Sequence, residues 1–222
     1  GRMPCVEIAD SIVQAGRETL EHAMSLVEQT PEWGAELVYG DTDSLFVHVP
    51  GRSKDDAFRI GREIAERVSA LHPAPVLLRL EKVYQPSLLV SKKRYAGYRL
   101  DSPQQARAVL DVKGLEMIRR DGHAVQRRLQ EACIRLLFDT RALSAVKRYC
   151  QRQWTKLYAG QISPHLLIIS RQVRLVYASQ ASLPPGAVVA MRQHRLFGLA
   201  PHDGERVPYL IIHGAPTSKL QD

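Results

Sequence analysis

A tight turn between two short strand-like runs restricts the fold of this chain more than any other feature. Residues 35–39 and 44–49 are rich in Val, Leu, Tyr and Phe, the residue types that favour β-strands. Gly40, Asp41, Thr42 and Asp43 separate the two runs, and this composition is typical of turns. The sequence therefore predicts a β-hairpin with two carboxylates at its tip.

Helical and strand patterns flank this hairpin. Apolar residues recur at helical spacing over 8–27 and again over 54–71, and prolines and glycines end both patterns. Residues 76–83 read as another strand, and residues 88–90 and 95–100 as two shorter strands around a basic turn. We expect an α+β fold here, in which helices cover one face of an antiparallel sheet.

The pattern changes after a loop at 101–105. Helical spacing dominates residues 125–137 and 143–157, so the second part of the chain is expected to be mainly helical. A Pro-Pro-Gly turn at 184–186 follows, then a short run at 187–192. Residues 207–212 read either as a strand or as a buried connection.

Composition excludes several classes of protein. Of 222 residues, 45% are apolar and 24% charged, as in a folded globular chain rather than a disordered or collagen-like one. The longest aliphatic runs are far below the roughly 18 residues that a membrane-spanning helix needs. The first residues lack the apolar stretch of a secretory signal, and Cys5, Cys133 and Cys150 are odd in number and widely spaced. We therefore expect a reducing, intracellular setting.

Charge is distributed unevenly along the chain. Residues 1–86 hold 9 Lys and Arg against 14 Asp and Glu, a net charge of −5, whereas residues 87–222 hold 22 against 9, a net charge of +13. The acidic part suits cations and the basic part attracts a polyanion. Nucleic acid is the first polyanion to consider.

Asp41 and Asp43 are the first candidates for chemistry. An Asp-x-Asp sequence in a turn most often bonds its own backbone, so this signal is weak alone. Glu81 lies in the strand-like run 76–83 and adds a third carboxylate if that strand neighbours the hairpin. Converging carboxylates suit a hard cation such as Mg²⁺, and an ion pair between Glu81 and Lys82 is the alternative.

A second group of candidates is basic. Its members are Lys92, Lys93, Arg94, Tyr95, Lys113, Arg119 and Arg120. Cations beside an aromatic ring can reach phosphates while the ring packs on a sugar or base. A solvated basic turn is the alternative for any single run, but the excess of Arg and Lys continues through residues 127–152 and favours a polyanion-binding surface.

Four motifs in this order resemble those of family B DNA polymerases. They are residues 38–44 (VYGDTDS), 81–84 (EKVY), 92–97 (KKRYAG), and 113–116 (KGLE) with 119–121 (RRD). Three further segments are similar to the zeta-type, translesion branch of that family. They are residues 1–5 (GRMPC) with 10–13 (DSIV), 149–153 (YCQRQ) and 204–209 (GERVPY).

The resemblance implies a domain organisation and a role for each site residue. Residues 1–115 would be the C-terminal part of a palm subdomain and residues 116–222 a thumb subdomain. Asp43 corresponds to the principal catalytic metal ligand, Asp41 to an auxiliary one and Glu81 to a weaker one. The remaining candidates would bind DNA, at the primer end (Tyr39, Thr42), in the duplex minor groove (Lys92, Lys93, Arg94, Tyr95) and where the thumb begins (Lys113, Arg119, Arg120).

The function implied is that of a nuclear, DNA-directed DNA polymerase acting in translesion synthesis. Two Mg²⁺ ions would serve the transfer of a deoxynucleotide to a primer 3′-hydroxyl, with primer-template DNA and dNTP as partners. No iron–sulfur or zinc site is expected within this segment, and no membrane association. Accessory polymerase subunits are expected to bind outside it.

Some parts of a family B polymerase are not found in this sequence. The first polymerase motif and the fingers are missing, so we expect a fragment of a larger polypeptide that is inactive alone and needs the remainder of the polymerase. A non-catalytic DNA-binding or scaffold module with the same fold is the alternative function. A delta-type replicative enzyme is disfavoured by residues 1–5. Gly97 and Gly114 are expected to serve backbone turns.

Overall fold

The predicted hairpin is present and lies against two helices. Strands β1 (Glu36–Asp41) and β2 (Ser44–His48) pair antiparallel, with Asp41 opposite Ser44. Helices α1 (Val6–Glu28) and α2 (Lys54–Ala70) confirm the two helical patterns. The computed structural model describes residues 5–174, 176–179, 183–215 and 217–218. Residues 1–4, which carry part of the zeta-type resemblance, lie outside this range.

One apolar core joins these elements. Its buried residues come from both helices and from the short turn after α1, and the apolar side chains of the hairpin pack on it. They are Ala23, Val27, Trp33, Ile60, Ile64 and Val68, with Leu37, Leu45 and Val47 from the hairpin. Ser53 starts α2 with a capping box, because its hydroxyl accepts the Asp56 N–H at 3.1 Å while the Asp56 carboxylate accepts the Ser53 N–H at 3.4 Å.

A second sheet follows. Strand β3 (Val83–Ser91) and strand β4 (Arg94–Leu100) form an antiparallel hairpin with Ser91 opposite Arg94. Strand β5 (Val109–Lys113), which the sequence patterns did not predict, pairs with the other edge of β4. The basic turn predicted between residues 88–90 and 95–100 is the turn of this β3–β4 hairpin.

The strand predicted over residues 76–83 is wrong except at its last residue. Residues 76–82 belong to no strand, and β3 begins at Val83. The segment is nevertheless fixed, because the Ser69 hydroxyl accepts the Leu78 N–H at 2.9 Å and donates to the Leu78 carbonyl at 3.2 Å. A strand pattern becomes a strand only when a neighbouring strand supplies hydrogen-bond partners, and none pairs with this segment in the described part of the chain.

The chain divides into two units, residues 1–112 and 113–222. In the second unit, α3 (Ala124–Thr140) and α4 (Leu143–Tyr158) confirm the helical patterns and pack together. The free thiols of Cys133 and Cys150 lie 3.4 Å apart at this contact. The assignment of the two units to palm and thumb stays a prediction.

The end of the second unit is more regular than its sequence indicated. The short run at 187–192 belongs to a longer helix, α5 (Pro185–Phe197). Strands β6 (Ile169–Gln172) and β7 (Arg206–Tyr209) pair antiparallel. The sequence predicted either a strand or a buried connection over residues 207–212, and the structure has a strand as far as Tyr209. Four buried residues join these elements: Val173, Ala187, Ala190 and Val207.

The architecture confirms the α+β class. Helices pack on antiparallel hairpins in the first unit, and α5 packs on a small hairpin in the second. Among the described residues, no helix is both long enough and apolar enough to cross a lipid bilayer.

The core predicts the cost of a cavity. Ile60 is 2% exposed in the first unit, whereas Ile12 on α1 is 67% exposed. Replacing Ile60 by Ala should lower the free energy of unfolding of the 222-residue chain by about 2 to 5 kcal/mol, because transfer energy is lost and a cavity remains. The matched substitution Ile12→Ala should change it by less than about 0.5 kcal/mol. Urea denaturation of both variants measures this, and equal effects would contradict the assigned core.

Candidate metal and nucleic-acid site

The tip of the β1–β2 hairpin presents its two aspartates differently. Along β1, exposed and half-buried residues alternate, so Tyr39 and Asp41 share the inner face. Asp43 lies in the turn and its side chain is exposed. The described residues offer the Asp43 carboxylate no hydrogen bond and no ion pair. One carboxylate is therefore held by the protein and the other is open.

Lys93 holds the inner carboxylate. Its ammonium group forms a hydrogen-bonded ion pair with Asp41 Oδ1. Its backbone N–H donates to the Tyr39 hydroxyl at 2.8 Å. Lys93 adopts a φ of +61°, a left-handed conformation that is uncommon for a residue with a side chain. The turn of the β3–β4 hairpin is thus tied to β1 through both the backbone and the side chain of one residue.

This pairing shifts the pKa of both partners in the direction that favours their charged forms. The hydrogen bond from Lys93 lowers the pKa of the Asp41 carboxyl, and the same bond raises the pKa of Lys93. The Thr42 hydroxyl adds a longer hydrogen bond to Asp41 Oδ1 at 3.3 Å. The Lys93 side chain is 61% exposed and that of Asp41 24%, so solvent screens the pair. Asp41 is a carboxylate at neutral pH with a cation already beside it.

Glu81 and Asp43 line the same cavity but form no complete metal site. The cavity has a volume of about 700 Å³ and lies between β2, α2 and the segment 77–87. The Glu81 side chain is 76% exposed and its carboxylate is 4.0 Å from the Lys82 ammonium. This contact is the Glu81–Lys82 ion pair that the sequence left open as the alternative to a metal ligand. Within the part of the chain that the structure describes, no three His, Cys, Asp or Glu side chains are grouped so that they could hold a metal ion.

The oxygen donors of the hairpin tip nevertheless suit a hard cation. Asp41 and Asp43 are carboxylates two residues apart, and carboxylate oxygen is the donor that Mg²⁺ prefers in proteins. Asp43 has its carboxylate free for a ligand, whereas Asp41 must share its carboxylate with Lys93. The pair therefore fits a part of a magnesium site that further oxygen donors would complete.

The run 92–95 consists of two exposed residues followed by two half-buried ones. Lys92 and Lys93 are exposed. The Tyr95 ring packs 4.9 Å from the Phe46 ring and 6.5 Å from the Tyr39 ring, and burial raises the pKa of Tyr95. Arg94 is half-buried. Of this run, the two lysines are the side chains most accessible to a phosphate backbone.

The second unit carries the excess of positive charge. Residues 113–222 hold 17 Lys and Arg against 7 Asp and Glu, a net charge of +10. Lys113 and Arg120 are exposed, whereas the Arg119 guanidinium already bonds both oxygens of Asp121, at 2.9 and 2.6 Å. Several exposed cations lie on α3, on α4 and between them: Arg128, Arg141, Lys147, Arg148, Arg152 and Lys156.

Sequence reasoning missed the group beneath the hairpin. The Phe46 ring stacks on Tyr84 at 6.1 Å, and the Tyr84 hydroxyl donates to Asp111 at 2.7 Å. Gly97 was expected to serve a turn but lies inside β4 against the Tyr84 ring, whereas Gly114 does have a positive φ of +65°. Asp111 lies in the otherwise apolar run 109–112. A single charged residue in such a run was the sequence signal that could have indicated a buried partner for Asp111.

The whole chain matches a known protein family. The model of DNA polymerase family B matches residues 1–222 of this chain. The chain belongs to DNA polymerase family B. The family resemblance of the four motifs is thereby confirmed.

The relatives of this family B chain include catalytic subunits of two polymerases. It is 46% identical over 227 residues to the DNA polymerase zeta catalytic subunit of Saccharomyces cerevisiae, covering 100% of this chain and 15% of that protein. The Homo sapiens zeta catalytic subunit is 46% identical over 222 residues, which are 97% of this chain and 7% of that protein.

A delta-type relative is less similar. The DNA polymerase delta catalytic subunit of Oryza sativa is 34% identical over 229 residues, covering 100% of this chain and 21% of that protein. The zeta-type resemblance predicted from the sequence is confirmed, since identity to the zeta subunits is 42 to 46%. The chain spans about a fifth or less of the length of these relatives.

The Lys93 contact predicts a titration. Because Lys93 lowers the pKa of Asp41, Lys93→Met should raise this pKa towards its ordinary value of 3.8. The stability that the pair contributes is present above the unfolded pKa and is lost as the pH falls through the lower folded pKa. NMR titration of the Asp side-chain carboxyl carbons in the 222-residue chain measures the shift.

The neighbouring lysine supplies the control. Lys92 is exposed in the same turn, and no ion pair with Asp41 is formed by it. Lys92→Met should leave the titration of Asp41 where it is in the unmodified chain. An Asp41 titration that Lys93→Met does not move would show that the ion pair is absent in solution.

Proposed function

We propose that this chain is part of a DNA-directed DNA polymerase of the zeta type, which extends primers in translesion synthesis and DNA repair in the nucleus. The observation that carries the proposal is the hairpin tip, where the open carboxylate of Asp43 lies beside Asp41 and the Lys93 turn. Relatives of 42 to 46% identity over nearly all of the chain are named polymerase zeta catalytic subunits.

Asp43 and Asp41 would hold Mg²⁺ in the complete enzyme. When bound, such ions activate the primer 3′-hydroxyl and stabilise the triphosphate and the leaving pyrophosphate. Asp43 contributes a carboxylate that forms no ion pair among the described residues, and the hairpin presents it at an exposed turn. The hydrogen bond from Lys93 lowers the pKa of the Asp41 carboxyl and holds that carboxylate in place at the hairpin tip.

The turn residues would orient DNA around these carboxylates. Tyr39 accepts a hydrogen bond from the Lys93 backbone, so the segment proposed to line the primer end is joined to the segment proposed to follow the minor groove. Lys92 and Lys93 are exposed and present cations to phosphates. Thr42 is exposed at the turn between Asp41 and Asp43, and we propose that it lines the primer terminus.

The remainder of the polymerase would complete the site. In the described residues, β2 pairs only with β1, and the cavity of about 700 Å³ separates its other side from residues 77–87. Leu45, Val47 and Leu78 are partly buried and line this cavity, so an added extended segment would find both apolar surface and unpaired backbone groups. We propose that the first polymerase motif occupies this cavity with a further carboxylate, and that the 222-residue chain alone does not extend primers.

The second unit would bind the newly made duplex. A net charge of +10 over residues 113–222 favours contact with phosphates, which give affinity without reading sequence. This is the behaviour that a polymerase requires of the surface that holds its product. Accessory subunits are proposed to bind elsewhere on the larger polypeptide.

Asp43 gives the decisive test. In the full-length polymerase, Asp43→Asn should lower the rate of Mg²⁺-dependent primer extension by at least about 100-fold, because several kcal/mol of transition-state stabilisation depend on the bound cations. The affinity for primer-template DNA should remain within about twofold, since duplex contacts lie mainly on the basic residues. Single-turnover extension and fluorescence anisotropy measure the two quantities.

A matched acidic residue is the control for this experiment. Asp55 is an aspartate in the first turn of α2 that does not line the cavity beside Asp43, so Asp55→Asn removes the same charge without changing that cavity. Its extension rate should equal that of the unmodified enzyme. If Asp43→Asn also extends primers at the normal rate, the chain is a non-catalytic DNA-binding or scaffold module, the alternative that the sequence left open.

Duplex binding by the second unit predicts a dependence on salt. The logarithm of the affinity of the 222-residue chain for duplex DNA should fall linearly with the logarithm of salt concentration, with a slope of about −0.9 per phosphate neutralised. Replacing both Arg148 and Arg152 by Gln should make this slope less steep. Arg17→Gln on α1, where Arg17 is paired with Glu21, should not. An affinity that does not depend on salt would contradict the proposal.

A further inference from the structure

Three residues form a stack beneath the aspartate hairpin. Phe46 lies on β2, directly opposite Tyr39 of β1. Its ring stacks on the Tyr84 ring with centroids 6.1 Å apart and planes inclined by 8°. Tyr84 in turn lies against Gly97 in the middle of β4. The hairpin that carries Asp41 and Asp43 therefore rests on a ring that belongs to the next sheet.

Gly97 fixes the position of that ring by having no side chain. A Cβ atom at Gly97 would lie 2.4 Å from Cδ1 and 2.8 Å from Cγ of Tyr84. These distances are far inside van der Waals contact, and Gly97 is itself buried. The ring has no flexible end to move away, so any larger residue at this position displaces the whole Tyr84 side chain.

The hydroxyl group of Tyr84 is fixed as well. It donates to Asp111 Oδ2 at 2.7 Å, and the Lys82 ammonium contacts the same oxygen at 2.9 Å. The Lys82 and Asp111 side chains are only 18% and 11% exposed. A charge pair with so little solvent around it depends on its partners, because an uncompensated buried charge is costly. This network joins β3 to β5 and holds the Tyr84 ring at both ends.

The stack also reaches the Lys93 tie. Tyr95 packs edge-on against Phe46 at 4.9 Å and against Tyr84 at 6.3 Å. It lies in β4, two residues after the turn residue Lys93. Burial, and then the hydrogen bond to Asp111, raise the pKa of Tyr84, so its hydroxyl remains a proton donor at any physiological pH.

We propose that Tyr84 is a positioning residue, seated by Gly97 and Asp111, that sets the position of the aspartate hairpin through Phe46. The inference rests on the proposed function, since the position of Asp41 and Asp43 affects a rate only if they serve the reaction. Tyr84 touches neither aspartate and acts through the ring of Phe46.

Gly97→Ala in the full-length polymerase tests this. It should lower the single-turnover extension rate about tenfold or more, because a small displacement of a catalytic group can cost up to about 100-fold. The affinity for primer-template DNA should stay within about twofold, since the exposed cations proposed to contact phosphates do not belong to the stack. The control is Gly16→Ala on α1, where a Cβ meets no atom within 4 Å; it should leave the rate unchanged.

A double-mutant cycle separates positioning from general loss of stability. If Gly97 acts through the stack, the rate of the Gly97→Ala, Phe46→Leu double variant should be close to that of the slower single variant, because both changes break the same chain of contacts. The proposal would be overturned if the two substitutions lowered the extension rate by independent factors that multiply in the double variant. It would also be overturned if the Gly97→Ala enzyme extended primers at the rate of the unmodified enzyme. Gly16→Ala combined with Phe46→Leu should show only the effect of Phe46→Leu.

Two further measurements apply if Gly97→Ala does not fold. Tyr84→Phe keeps the ring and removes the hydroxyl, so it should lower the extension rate. The control is Tyr158→Phe, at a side chain that is 90% exposed, and it should leave the rate unchanged. Equal extension rates for the two variants would overturn the proposal. In the 222-residue chain, NOEs between the Phe46 and Tyr84 rings should be present, and their absence would refute the stack. If the unmodified polymerase does not extend primers, the proposed function fails while the NOE measurement still tests the stack.

Discussion

Lys93 joins the two hairpins of the first unit, and the geometry of the candidate site depends on that contact. Its backbone N–H bonds Tyr39 and its ammonium group bonds Asp41, while its own φ of +61° is a conformation that surrounding contacts must stabilise. A hairpin of two strands is marginally stable alone. Here its tip is fixed from the side by Lys93 and from beneath by the ring of Phe46 on Tyr84.

The site combines opposite charges at short range. Asp41 is paired with Lys93, whereas Asp43 one residue beyond Thr42 is open to solvent. A divalent cation bound at the hairpin tip would therefore compete with Lys93 for the Asp41 carboxylate, whereas the Asp43 carboxylate has no such partner among the described residues. The cavity shared by Asp43 and Glu81 would give room for additional oxygen donors, which the described residues do not themselves bring together.

Periodicity predicted most of the fold because most of these elements bury one face against a local core. Both helices of the first unit and the hairpin follow from apolar spacing and from the turn at Gly40 to Asp43. Residues 76–82 have a strand pattern yet form no strand, since hydrogen-bond partners cannot be read from the pattern of one segment. Strand β5 was missed because Asp111 interrupts its apolar run, and its partners Lys82 and Tyr84 are 27 or more residues away.

The candidate site was only partly accessible to the same reasoning. The motifs located Asp41, Asp43 and Lys93, but the contact between Lys93 and Tyr39 spans 54 residues and no local pattern encodes it. Gly97 illustrates the difference, since a glycine needed for close approach of a ring and a glycine needed for a turn look alike in a sequence.

The claim that the hairpin tip holds divalent cations is tested most directly by anomalous diffraction. Crystals of the full-length polymerase with primer-template DNA, a non-reacting nucleotide and Mn²⁺ in place of Mg²⁺ would show the ions themselves. An anomalous peak is expected within bonding distance of the Asp43 carboxylate. The role of Asp43 as a metal ligand would be contradicted if Mn²⁺ ions were bound in the complex but the Asp43 carboxylate lay outside their coordination shell and faced only solvent.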